Sequence, residues 1–345
     1  MQYRPLGRTG VQVSPLCLGA MMFGPWGNDD RADAVRIIHR ALDAGINIVD
    51  TADVYSAGVS EEIVGQALAG RRDEVVLATK FFMPMDDDPN HRGGSRRWII
   101  RAVEDSLRRL GTDHIDLYQV HRPGPDTDVA ETLGALSDLV RQGKVRYIGS
   151  SSYSASQIVE AQWASRERNL ERFVTEQPPY SLLVRGIEED VLPTTLRHGM
   201  GTLTYSPLAG GWLSGRWRKG AAGVPTSSAR PGARFDMSTA ANQRKLDVVE
   251  DLATLADDAG LSLLQMAIAF VVNHPGVTAA IVGPRTMDQL ESYLPAAELT
   301  LSPDVLDRID EIVAPGVTLN PDDNSYGAYE LLPAARRRTR EDAAR

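Results

Sequence analysis

Along the chain, short apolar runs alternate with longer stretches in which apolar residues return at every third or fourth position, the spacings of strands and amphipathic helices. Residues 16–19 read as a strand and 31–44 as the helix after it, closed by Gly45. The pattern repeats as 46–50 then 60–68, 75–80 then 95–110 closed by Gly111, 114–121 then 129–142, 147–150 then 154–168, and 173–177 then 187–198. Residues 203–205 lead to two helical stretches, 242–259 and 262–273, and 278–282 lead to 287–294. In the second unit Ser60 is the expected N-cap, with Glu61 and Glu62 suited to the positive end of the helix.

Strand and helix thus alternate through eight units with no linker or low-complexity break, which predicts an eight-stranded parallel barrel, the (β/α)8 or TIM barrel, as one domain over residues 1–345. A doubly wound sheet is the alternative, and the absence of a glycine-rich turn after the first strand counts against it. Residues 1–14 read as an N-terminal hairpin cap centred on Arg8-Thr9-Gly10, 302–313 as an extra C-terminal helix, and 315–345, with Arg336, Arg337, Arg338 and Arg340, as a solvated tail.

Composition narrows the class. Of 345 residues, 42% are hydrophobic, and 46 acidic against 37 basic side chains give a charge of −9. That balance lacks the basic surface of a nucleic-acid binder. The single cysteine, Cys17, lies between leucines and excludes an internal disulfide and a cysteine-rich metal site. The six histidines are scattered, none spaced as a ligand pair, so no metal is expected. With no apolar signal core at the start and no run long enough to span a membrane, the expectation is a soluble cytoplasmic protein. Only four basic residues are lysines, Lys80, Lys144, Lys219 and Lys245. Arginine is the default cation, so a lysine in an apolar strand draws notice, whereas the other three are expected at the surface.

In such barrels, side chains at the C-terminal ends of strands converge on one mouth. Reading those ends in order gives Asp50, Lys80, His121, Ser151 with Ser152, Gln177, Tyr205, then Gly283 with Arg285; Tyr55 follows Asp50 in the next loop. Lys80 closes an apolar strand where a lone ammonium would be costly, and Asp50, one strand earlier, is its natural partner. A paired lysine beside Tyr55 favours the phenolate and makes the phenol a usable proton donor. His121 is placed to orient a carbonyl oxygen. Together these groups protonate a developing alkoxide, half of a carbonyl reduction. No side chain supplies a hydride, so a nicotinamide cofactor is implied.

With these residues in hand, the chain resembles the aldo-keto reductases over nearly its whole length, in particular bacterial members related to potassium channel β subunits. The resemblance rests on Asp50-Thr51-Ala52-Asp53-Val54-Tyr55, Ser60-Glu61-Glu62-Ile63-Val64-Gly65, Ala78-Thr79-Lys80, Ile115-Asp116-Leu117-Tyr118-Gln119-Val120-His121, Tyr205-Ser206-Pro207-Leu208 and Ile281-Val282-Gly283-Pro284-Arg285. It implies NADPH as cofactor and a catalytic tetrad of Asp50, Tyr55, Lys80 and His121, with Tyr55 as general acid. It further implies that Ser151, Ser152 and Gln177 meet the carboxamide, that Tyr205 stacks on the nicotinamide ring, and that Ser206, Leu208, Gly210 and Arg216 wrap the pyrophosphate. Gly283 and Arg285 then fall at the 2′-phosphate, and Gln289 at the adenine.

The chain departs from the family pattern at Ser152, where asparagine is common, at Ser56, where glycine is usual, at Gly124, where aspartate is common, and at Ser292 and Tyr293, where many relatives carry Glu and Asn. Trp26, Phe82, Met83, Trp212 and Trp217 are expected to line a substrate pocket, and residues 220–234 to form a cofactor lid. The expected partner is a small carbonyl compound, either an aldehyde or a ketone; oligomeric state is left open. A cofactor-binding, redox-sensing subunit like the channel β subunits is the alternative function.

Overall fold

The computed structural model describes residues 1–219 and 233–324. Its strands, in chain order, are β1 (Arg4–Pro5), β2 (Gln12–Val13), β3 (Leu16–Gly19), β4 (Ile48–Asp50), β5 (Val76–Phe81), β6 (Ile115–Val120), β7 (Val145–Ser151), β8 (Phe173–Gln177), β9 (Gly201–Thr204) and β10 (Ala279–Val282). The helices are α1 (Arg31–Asp43), α2 (Val59–Leu68), α3 (Arg96–Leu110), α4 (Val129–Arg141), α5 (Ala155–Arg168), α6 (Val191–His198), α7 (Ala240–Asp258), α8 (Leu263–Asn273), α9 (Met287–Tyr293) and α10 (Pro303–Ile312). β3 to β10 pair in parallel and close into a barrel in the order β10-β3-β4-β5-β6-β7-β8-β9. This is the predicted (β/α)8 barrel.

Local sequence explains the element boundaries. Ser95 caps α3, and Gly111 ends it in the left-handed conformation at φ +63°. Ser154 with Gln157 and Ser262 with Gln265 form capping boxes at the starts of α5 and α8. The strands are apolar on both faces because both are covered. Cys17, Ile48, Ala78, Leu117, Leu203 and Ala279 fill the barrel interior, while Leu16, Leu18, Val49, Leu77 and Tyr118 pack outward under the helices. β1 pairs antiparallel with β2, and Leu6 within this hairpin joins the interior cluster, so the hairpin plugs the barrel floor.

Three expectations change. α2 begins at Val59 on Gly58, with φ +95° at the cap, so Ser60 is not the N-cap. Its hydroxyl instead donates to the Ala20 carbonyl at 2.8 Å and meets Thr51 Oγ1 at 2.9 Å. Glu61 is buried rather than solvated: it accepts from Thr79 Oγ1 at 2.6 Å and pairs with Arg109 Nε at 2.7 Å. The first turn of α2 lies against β5 and α3, so only Glu62 faces outward. Lys245, expected at the surface, is fully buried against Asp323, with Nζ 2.7 Å from Oδ2.

That pair also revises the C-terminus, because Asn320 and Asp323 are buried and Thr318 bridges Val184. The predicted solvated tail from 325 onward, with its arginines, lies outside the described residues, as does the lid segment 220–232. Among the described residues no single helix is long and apolar enough to cross a membrane.

Candidate functional site

The C-terminal strand ends open into a cavity of about 1390 Å³. Asp50, Tyr55 and His121 line it, and Lys80 lies directly behind, fully buried. Lys80 Nζ donates to Asp50 Oδ1, to the Thr51 carbonyl at 2.9 Å and to Tyr55 Oη at 3.2 Å. Burial alone would lower the Lys80 ammonium, yet attraction to Asp50 and Tyr55 outweighs it and holds Lys80 above the ordinary lysine range. The His121 ring meets Tyr55 edge to face at 5.7 Å. Four residues from three strand ends and one loop therefore converge as the sequence suggested.

Asp50 has a support that sequence reasoning missed. Its Oδ2 accepts from Gln119 Nε2 at 3.0 Å and from Gln177 Nε2 at 2.9 Å, while Gln177 Nε2 also meets Gln119 Oε1 at 3.2 Å. Gln119 is buried in β6, two residues before His121. A glutamine amid apolar strand residues was the available signal, since a buried amide needs partners. The Gln177 amide nitrogen, expected at the cofactor, is taken up by this network.

The remaining predicted residues divide. Ser151, Tyr205, Ser206, Leu208, Gly210, Arg216, Gly283, Arg285 and Gln289 all line the cavity, as do Trp26, Met83 and Trp217. Gln289 turns its Oε1 back onto the Arg285 backbone N–H at 2.8 Å. Ser152 does not face the cavity: it is buried at φ +60°, and its hydroxyl meets Tyr205 Oη at 3.2 Å and accepts from Arg122 Nη1.

Trp212 is not a pocket wall. It is fully buried, stacked on Trp217 at 3.8 Å, with Lys245 Nζ 4.2 Å above its ring. Phe82 is likewise absent from the lining, because a backbone φ of +118° turns its ring against residue 124, where an added Cβ would stand 3.0 Å from it. Glycine at 124 makes room for that ring.

Ser56 and Ala57, immediately after Tyr55, hold left-handed backbone at φ +49° and +55°. Glycine would accept that conformation without strain, which accounts physically for the family's preference at position 56. Across the barrel, the loop after β9 repeats the feature at Ser206, Ala209, Gly210 and Gly211. Close by, Arg216 and Arg285 both act on the Tyr293 hydroxyl, whose pKa burial raises and these two cations lower. Among the described residues neither guanidinium has a carboxylate partner.

A mouth that brings a charged lysine to a phenol is built to move a proton to or from a substrate oxygen. The chain is a member of the aldo/keto reductase family, whose model matches residues 15–314. It is an NAD(P)H-dependent oxidoreductase. Similar proteins include the "Uncharacterized oxidoreductase YrpG" of Bacillus subtilis, 41% identical over 90% of this chain and 96% of that one. A "Probable voltage-gated potassium channel subunit beta" of Arabidopsis thaliana is 36% identical over 91% of this chain and 97% of that one. The "Versiconal hemiacetal acetate reductase" of Aspergillus parasiticus is 32% identical over 91% and 98%.

Proposed function

We propose that the protein, as a single barrel domain, reduces an aldehyde or ketone to an alcohol with NADPH, Tyr55 acting as general acid. The observation that carries this reading is the Lys80–Tyr55 contact of 3.2 Å at the cavity wall, with Asp50 behind it.

The residues present fit a phosphorylated dinucleotide. Arg216 and Arg285 line the cavity with no carboxylate partner among the described residues, and the turn after β9, left-handed at Ser206, Gly210 and Gly211, lines it as well. Arg216, Arg285 and the Ser206–Gly210 turn would hold the phosphates, while Ser151 and Tyr205 would meet the nicotinamide end. When bound, the cofactor supplies the hydride.

The chain's own residues manage the proton. Tyr55 Oη donates to the carbonyl oxygen as that oxygen gains charge, and Lys80 stabilises the phenolate left behind by donating to the same oxygen. Asp50 keeps Lys80 charged and aimed, and Gln119 and Gln177 hold Asp50. His121, at right angles to Tyr55, orients the carbonyl. Trp26, Met22 and Met83 give the reacting end an apolar wall.

Carbonyl-dependent NADPH oxidation is expected to fall by about 100-fold or more in Tyr55→Phe and in Lys80→Met, while quenching of tryptophan fluorescence by NADPH persists in both. Unchanged turnover in the two variants would overturn the mechanism. A channel-type regulatory subunit would instead bind the nucleotide with negligible turnover across a carbonyl panel.

A further inference from the structure

We propose that Arg122 is an anchor for an anionic group on the substrate, so that the site favours aldehydes or ketones bearing a carboxylate beyond an apolar spacer. The inference rests on the carbonyl reduction proposed above and narrows its substrate class.

Arg122 directly follows His121 at the end of β6, lines the cavity and is half-buried. Both of its hydrogen bonds leave from one nitrogen: Nη1 donates to the His121 carbonyl at 3.1 Å and to Ser152 Oγ. Among the described residues Nε and Nη2 have no hydrogen-bond partner, and no carboxylate pairs with the guanidinium. Nε and Nη2 form one edge of the fork, whose two parallel donors match the two oxygens of a carboxylate. Glu176, whose carboxylate Arg122 would stabilise, is fully buried with a pKa pushed up to about 8, and so is largely neutral near pH 7. A half-buried cation with an idle bidentate edge and no compensating charge is poised for an external anion.

That anion belongs to the substrate rather than the cofactor because of barrel position. Arg285 follows β10 and Arg122 follows β6, four strands apart in a ring of eight and hence on opposite sides. Cofactor phosphates held at Arg216 and Arg285 leave Arg122 at the reacting end, where a nicotinamide carries no anionic group. Arg234, another cavity cation, is already paired with Asp323 at 3.2 Å. Of the acids that line the cavity, Asp50 is already paired with Lys80, and Asp29, Asp33 and Asp288 lie near the starts of α1 and α9, on the Arg285 side. Met83, in the loop after the neighbouring β5, lines the cavity on the Arg122 side, and Trp26 stands 6.2 Å from Tyr55 at the reacting end, which suits an apolar spacer.

The test compares 4-formylbenzoate with its uncharged methyl ester as substrates of the full chain with NADPH. The wild type is expected to favour the acid at least 10-fold in kcat/KM. Arg122→Met is expected to lose that preference through KM for the acid, with the ester and NADPH little changed, and Arg122→Lys to retain part of it. Binding of 4-(hydroxymethyl)benzoate to the NADP+ complex, read by tryptophan fluorescence, is expected to weaken about 10-fold in Arg122→Met. Equal use of acid and ester by the wild type overturns the anchor while leaving carbonyl reduction intact. A parallel loss on both substrates in Arg122→Met also overturns it, and makes Arg122 a tether between the β6 and β7 loops. Reduction of neither compound, nor of any carbonyl in a broad panel, overturns the proposed reduction and the anchor together.

Discussion

Glu176 near the end of β8 accepts from Ser150 Oγ and from the Tyr153 backbone N–H at 3.0 Å, and so braces the turn that carries Ser151 and Ser152. Burial outweighs these bonds and lifts its pKa from the ordinary 4.5 to about 8. Between those values the native protein binds a proton that the unfolded chain has released. Stability therefore falls as pH rises from about 4.5 to about 8 and levels off above, once both states are ionised. Glu176→Gln imitates the neutral acid and is expected to flatten this slope and add a few kcal/mol at pH 8, read from urea midpoints at pH 5, 7 and 8.5. Neither this shift nor the left-handed backbone at Ser56, Phe82, Ser152 and Ser206 has a local signature, because serine, phenylalanine and glutamate fit many environments and only their neighbours impose these states. Lys80 was legible for the opposite reason: an ammonium closing an apolar strand demands a partner wherever the chain folds.

Packing between elements sets conditions that the repeat of strand and helix does not express. At Gly65, midway along α2, an added Cβ would stand 2.5 Å from the Leu110 carbonyl at the end of α3. Alanine is favoured over glycine by about 1 kcal/mol in a free helix, but here the backbone must yield. Gly65→Ala is expected to destabilise by about 1 to 3 kcal/mol, measured by thermal unfolding, with a gain in stability counting against the close packing. The turn Pro321–Asp323 makes a second such contact, since Asp323 joins Lys245 in α7 to Arg234, and Lys245 underlies the Trp212–Trp217 stack beside the cavity. Asp323→Asn leaves Lys245 buried without its counter-ion and is expected to cost about 3 to 5 kcal/mol, whereas Lys245→Met, which removes the charge but keeps the apolar stem, is expected to cost less in the same melt. Helix periodicity found α7 but not this lysine's fate, because a position 78 residues further along the chain supplies the partner.

The barrel as a whole divides its mouth into a proton-handling side below β4 to β6 and a cationic side near β10. If Arg285 reads the 2′-phosphate, Arg285→Ala is expected to weaken NADPH binding about 10-fold or more and NADH far less, in fluorescence titrations; equal losses would detach Arg285 from that group. Fold class and the four converging residues were readable in the sequence because strand–helix alternation is local and a parallel barrel delivers every strand end to one face. The lining of that face was less readable. Trp212 and Trp217, five residues apart in one loop, stack in the same core yet only Trp217 reaches the cavity, and Ser151 lines that cavity whereas Ser152 does not. By itself the sequence determined the repeat, the barrel and the identities of the chemical groups, since periodicity and residue type are properties of the chain. Only the tertiary structure decided which groups are buried, which amides brace Asp50 and which edge of Arg122 is left idle, because desolvation and hydrogen-bond partners are set by residues distant in the chain that folding brings within about 3 Å.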